Sequence, residues 1–225
     1  MKIKMAIPLN ILYEDNHVIA IDKPARMLVQ GDSTGDPDLL GVVREFIKKR
    51  DHKPGNVFLG LVHRLDRPVS GAIIIAKTSK GASRLSETIR SRQMTKIYHA
   101  IIEGIADHEH GELVNNLKKD RAKRITSVVA TGGKEAKLTY RVLRRERDRT
   151  FVEINLITGA PHQIRAQFSH IGHPIVGDVK YGAEESDEIE VGTIALHSHI
   201  IRCKHPTRDE EIEILSNPPA SWGIN

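Results

Sequence analysis

His63-Arg64-Leu65-Asp66-Arg67-Pro68-Val69-Ser70-Gly71 runs directly into Ala72-Ile73-Ile74-Ile75-Ala76-Lys77. The second half reads as a buried strand, a short isoleucine-rich run bounded by Gly71 and by Lys77-Thr78-Ser79. The first half reads as a loop entering that strand. Pro68 biases Arg67 away from helix, and Gly71 permits a close approach of another backbone. Asp66 stands between two arginines. Guanidiniums on both sides favour a charged carboxylate, and such a group can act as a nucleophile or a base. The same residues also make an ordinary Arg–Asp pair at a strand end. On spacing alone, that structural reading is the more frequent one.

Upstream, Ile11-Leu12-Tyr13 and Val18-Ile19-Ala20-Ile21 read as two strands around an Asp15-Asn16 turn. Asp36-Pro37 predicts a helix start, and Leu39, Leu40, Val43, Phe46 and Ile47 recur at helical spacing to about Lys49. Val57 to Leu61 is a short strand leading into the Asp66 loop. Downstream, Ser79 predicts the cap of a helix to about Arg92, with Leu85 and Ile89 inward. Further strands are expected at 96–102, near 112–115, and at 125–130, 135–144 and 150–157. Thr131-Gly132-Gly133 predicts a hairpin between two of them. Thr158-Gly159-Ala160-Pro161 opens a helix with Ile164, Phe168 and Ile171 on its inner face, ended by Gly172. Strands 194–203 and 211–215 close the chain. Strands dominate and helices are few, so the fold class is α+β with a largely antiparallel sheet. No repeat or linker divides residues 1–225, which are expected to form a single domain.

The 225 residues suffice for a sizeable core, and 39% hydrophobic with 28% charged residues fits a soluble globular chain. No apolar run approaches the ~20 residues that cross a bilayer. The N-terminal segment has too short an apolar stretch for a signal peptide. A single cysteine, Cys203, excludes an internal disulfide and fits a reducing cytoplasm. Net charge is +5. Lys118, Lys119, Arg121, Lys123 and Arg124 form one basic cluster, and Arg141, Arg144, Arg145, Arg147 and Arg149 a second. Each is either a solvated face or a surface for nucleic-acid phosphates.

Several ordered blocks resemble the RluA family of RNA pseudouridine synthases. HRLDRPVSG with its downstream AKT is similar to the family's catalytic-aspartate loop, with Pro68 and Val69 departing from the usual HRLDRDTSG. Leu12-Tyr13-Glu14-Asp15 and Asp22-Lys23-Pro24 are similar to its N-terminal block, and Lys96-Ile97-Tyr98 to its K-x-Y block. Thr158-Gly159-Ala160-Pro161-His162-Gln163-Ile164-Arg165 resembles TGRTHQIR, with Ala160 and Pro161 in place of Arg and Thr. His170 to Asp178 with Tyr181-Gly182, then Leu196-His197 and His205-Pro206, match the later blocks. The resemblance spans about residues 11 to 220.

It implies a pseudouridine synthase catalytic domain, with a mixed, mostly antiparallel sheet flanked by a few helices. The matching blocks begin near Leu9, so the N-terminal RNA-binding module of some relatives is expected to be absent. Asp66 falls on the catalytic aspartate, Arg165 on the arginine that pairs with it, and Tyr98 on the active-site tyrosine. Arg64 is implied to enter the RNA where the flipped uridine was, with His63, Leu65 and Ile164 lining the substrate site. The reaction breaks the N1–C1′ bond of uridine, turns the base and joins C5 to C1′, without redox change or group transfer. No cofactor and no metal is therefore required. The implied partner is ribosomal or transfer RNA, met in the cytoplasm by a monomer without an obligatory protein partner.

Two other classes fit these residues less well. A metal hydrolase finds no standard ligand spacing among the twelve histidines, including Asp107-His108-Glu109-His110, His170-x-x-His173 and His197-x-His199. A non-catalytic RNA-binding module would use the basic clusters but not Asp66. It would also expose stacking aromatics, and aromatics are only 4% of this chain.

Overall fold

The computed structural model describes residues 8–120, 122–187 and 189–223. Their strands are β1 Asn10–Glu14, β2 Val18–Lys23, β3 Gly60–Leu61, β4 Ser70–Ala76, β5 Thr95–Glu103 and β6 His110–Asp120. β7 Ile125–Val128, β8 Lys134–Glu146, β9 Arg149–Leu156, β10 Leu196–Lys204 and β11 Glu211–Leu215 follow. The helices are α1 Leu39–Arg50, α2 Ser79–Arg90 and α3 Gln163–His170, with 3-10 turns at Val179–Tyr181 and Ala220–Trp222. The strands join in one sheet of order β1-β2-β4-β10-β5-β9-β8-β6-β7, with β3 added to β4 and β11 to β10. β4 and β10 run parallel, and the other recorded pairs antiparallel. This is the mixed, mostly antiparallel α+β sheet that the sequence and its resemblance imply.

The isoleucine run lies at its centre. Every residue of β4 after Ser70 is buried, because both faces are covered. Ile73 and Ile75 pack with Ile19 and Ile21 against Leu39, Val43 and Ile47 of α1. Ala72, Ile74 and Ala76 pack on the opposite face with Leu85 of α2 and Ile201 of β10. Gly71 (φ 109°) is where β4 meets β10, and a Cβ there would lie 2.3 Å from the Ser198 carbonyl oxygen. That is the close backbone approach the glycine permits.

Some local expectations give way to longer-range contacts. Asp38, not Asp36, caps α1 by accepting the Gly41 N–H at 3.0 Å, because the helix begins at Leu39; the Asp36 carboxylate pairs instead with Arg67 at 2.7 Å. Thr78 replaces Ser79 as the cap of α2, accepting the Gly81 N–H. Ile171 is the C-cap of α3 and is 38% exposed rather than inward. The Thr131-Gly132-Gly133 stretch makes no hairpin: β7 and β8 pair with opposite edges of β6. The connection crosses β6 at Gly133, where a Cβ would come within 2.9 Å of the Leu117 backbone. Glycine is needed there for passage, not for a turn.

Candidate active site

The loop between β3 and β4 is pinned on two sides before Asp66 meets any partner. His63 Nε2 accepts the Ile74 N–H at 3.1 Å. The fully buried Lys23 donates to Pro24 O and Met27 O, both at 2.9 Å, and to Arg67 O at 3.4 Å. Burial lowers the Lys23 pKa to about 7, opposed by the Asp66 and Asp22 carboxylates. Three carbonyl acceptors around Nζ also favour the ammonium. Burial lowers His63 to about 3, with Lys96 acting the same way. An accepting Nε2 likewise requires a neutral ring.

The two arginines beside Asp66 in sequence are not recorded as its partners. Arg67 turns away to Asp36 and to Arg26 O, and Arg64 is exposed along the cleft. The guanidinium that pairs with Asp66 comes from α3, where Arg165 Nη1 donates to Asp66 Oδ2 at 3.1 Å. Arg165 is itself clamped. Its Nε and Nη2 donate to the two Asp178 oxygens at 2.6 and 2.7 Å, and its guanidinium lies 4.8 Å from the Tyr181 ring centre. Burial opposes its charge, but the Asp178 hydrogen bonds outweigh it and raise the arginine pKa.

Ala160 and Pro161 do not turn α3 away. Gln163 Oε1 accepts from Ala160 N–H at 3.0 Å and from the Thr158 hydroxyl at 2.8 Å, which fixes the bend. His162 takes a left-handed conformation (φ 53°) at the helix start without capping it. Its Nε2 lies 3.8 Å from Asp66 Oδ1. Burial lowers its pKa, against Asp66 and together with Arg165, Lys180 and Lys119.

A cleft of about 550 Å³ opens over these groups. It brings together every residue the sequence singled out: His63, Arg64, Leu65, Asp66, Tyr98, Ile164 and Arg165. Gln30, Lys96, Lys119 and His162 line it as well. Tyr98 projects from β5, and burial pushes its hydroxyl up to about 12, aided by Asp66 and opposed by Ser198. It is a phenol at neutral pH. A half-exposed carboxylate, a buried guanidinium and a protonated phenol on an aromatic ring can accept a flat polar ring and exchange protons with it. Among the described residues, no group of three or more His, Cys, Asp or Glu is placed to hold a metal ion.

Asp178, His162, Tyr181 and Lys23 carry no role in the sequence reading, although all four sit in the quoted blocks. Asp178, His162 and Tyr181 meet partners 13 or more positions away, and Lys23 adds the distant Arg67 O to its near acceptors Pro24 O and Met27 O, so only the blocks themselves flag them.

The family model described as RNA pseudouridylate synthase matches residues 17–170. The chain is 35% identical over 226 residues to a Xylella fastidiosa protein called ribosomal large subunit pseudouridine synthase D, covering 95% of this chain and 67% of that one. A Haemophilus ducreyi protein of the same name is 32% identical, with 96% and 69% covered. The solved structure titled Human RNA Pseudouridylate Synthase Domain Containing 4 superposes with a TM-score of 0.76 at 24% identity, over 93% of this chain and 88% of that one. That likeness agrees on the fold. Blocks, family model and identity over most of the chain converge, and the chain belongs to the RluA family of RNA pseudouridine synthases, isomerases that convert uridine to pseudouridine in RNA.

Proposed function

We propose that Asp66 is the catalytic carboxylate of an enzyme that isomerises uridine in ribosomal RNA, acting on a uridine flipped out of the strand into the cleft. One observation carries the assignment: Asp66 faces the cleft and is paired with a buried arginine that a second, buried carboxylate holds in place. The ribosomal target rests on the names of the curated relatives. A stacked base is out of reach of any side chain, so extrusion precedes chemistry. Arg64, exposed at the rim, suits the space the base vacates.

Asp66 can attack C1′ and displace the base, or assist the proton removal that releases it. By either route the N1–C1′ bond breaks and a C5–C1′ bond forms. C5 loses its proton and N1 gains one. Tyr98, with its ring against the cleft, serves as a platform for the base and a relay for the C5 proton. His63, Leu65 and Ile164 line the pocket around it. One chain supplies all these groups, so we read the protein as a monomeric single catalytic domain working on RNA in the cytoplasm.

The test uses RNA carrying tritium at uridine C5, which is released to water as C5 bonds to C1′. Asp66→Asn keeps the shape and removes the charge. It should slow tritium release by at least ~10³-fold, the usual scale for losing a covalent or general-base group. RNA binding should persist, since phosphate contacts carry most affinity. A folded Asp66→Asn protein releasing tritium at the normal rate returns Asp66 to a structural ion pair.

A further inference from the structure

Tyr181 lies outside the cleft, yet its hydroxyl sits at a junction. The Thr126 N–H, from the strand that ends the basic β6–β7 hairpin, donates to Tyr181 Oη at 2.9 Å. His162 Nδ1 lies 2.8 Å from the same oxygen. Around them, Leu117 and Ala136 pack with Ala166 and Tyr181, while Ile125, Val128 and Ala160 close the edge. This small apolar cluster fixes the hairpin to the helix that carries His162 and Arg165.

Hydrogen-bond accounting then sets the imidazole. A phenol has one proton to give. Tyr181 Oη already accepts from Thr126, and His162 Nδ1 is the acceptor within reach of its proton. If Nδ1 carried the hydrogen instead, the buried hydroxyl proton would have no recorded partner among the described residues. The tautomer is therefore Nε2–H, and Nε2 is the atom 3.8 Å from Asp66 Oδ1. Movement of under ~1 Å brings that pair into hydrogen-bond range.

We infer that Tyr181 is a positioning residue: its hydroxyl holds His162 as the Nε2–H tautomer, so that the imidazole presents a donor to the Asp66 oxygen not used by Arg165. This rests on the reading of Asp66 as the catalytic carboxylate. It adds a route by which the hairpin bearing Lys118, Lys119, Lys123 and Arg124 acts on the reacting group, through Thr126, Tyr181 and His162.

The test is long-range proton–nitrogen NMR on the full chain labelled at histidine nitrogens, with His162→Gln identifying the resonance. Wild-type His162 should be protonated on Nε2 at neutral pH. Tyr181→Phe keeps the ring under Arg165 and removes the hydroxyl. It should populate the other tautomer and lower the single-turnover rate at saturating RNA about tenfold, the scale of one lost hydrogen bond, with Kd for RNA unchanged within about twofold. His162→Gln, whose amide nitrogen can replace Nε2, should retain more of the rate than His162→Leu. A wild-type Nδ1–H tautomer overturns the inference without any variant. So does Tyr181→Phe with either its tautomer or its rate unchanged, or Gln and Leu variants of equal rate. Asp66→Asn is measured in parallel. If it is inactive while these readouts fail, only the role of Tyr181 falls; if it is active, the reading of Asp66 falls first.

Discussion

Arg165 holds two carboxylates on one guanidinium, and they are unequal. Asp178 is 1% exposed and takes two short hydrogen bonds, while Asp66 faces the cleft and takes one. Arg165→Met thus removes the partner of Asp66 and also strands a buried charge. Breaking a buried pair costs about 3–5 kcal/mol, so the single variant should lose stability together with turnover. A cleaner test is Arg165→Met with Asp178→Leu. Replacing both charges should restore much of the lost stability, measured by urea unfolding, while tritium release stays at least ~100-fold slow. A double variant with near-normal turnover would show that Asp66 needs no guanidinium.

At the scale of elements, the two basic runs part company. The second lies on β8 and β9, largely engaged within the chain. Arg141 pairs with Glu153, Arg145 bonds Glu109 and Ala106 O, and Arg144 stacks 4.2 Å from the Phe151 ring centre. The first lies on the β6–β7 hairpin, and its Lys119 reaches the cleft. Arg121 of this run falls outside the described residues, so the hairpin test uses Lys123 and Arg124. Single-stranded RNA gives a salt slope of about 0.7 per neutralised phosphate. Lys123→Ala with Arg124→Ala should therefore flatten the slope of log K against log salt by about 1.4. The same changes at Arg141 and Arg145 should alter it little. An unchanged slope in the hairpin variant would make this run a solvated face.

The whole molecule carries an acid sensitivity built from neutral histidines, His99 and His197 buried and His63 half-exposed in the cleft. Burial holds His63 at about 3 and His99 and His197 at about 4. In the unfolded chain these rings take up protons near pH 6.5. Between pH 6.5 and 5 the unfolded state thus binds more protons than the folded one, and stability falls as pH falls. Each such histidine contributes a slope on the order of 1 kcal/mol per pH unit at the lower end of that window. Thermal unfolding should show a midpoint that drops steadily from pH 6.5 to 5. His63→Gln, whose amide oxygen can still accept the Ile74 N–H, should show a shallower drop. A flat midpoint across the window would mean that these rings are protonated in the fold. Turnover should also survive exhaustive chelation, since the isomerisation moves one bond without redox change. Loss with EDTA and recovery with zinc would contradict that expectation.

The amino-acid sequence by itself determined the strand at 72–76, because a run of isoleucine between Gly71 and Lys77 can be stable only with both faces covered. It determined the loop before that strand, the helix after Pro161 and the order of the blocks, all of which follow from local chain preference and spacing. It also selected the residues that line the cleft, through the resemblance of those blocks to a family. Tertiary structure alone decided which charges meet. Arg64 and Arg67 are adjacent to Asp66, yet its recorded guanidinium partner comes from 99 positions away, because Lys23, Arg26 and Asp36 hold the loop and Arg67 in place while α3 packs across the sheet. Likewise Gly133 reads locally as a turn and serves as a crossing over β6. Pairing between distant elements depends on how the whole sheet closes, and no window of sequence contains that information.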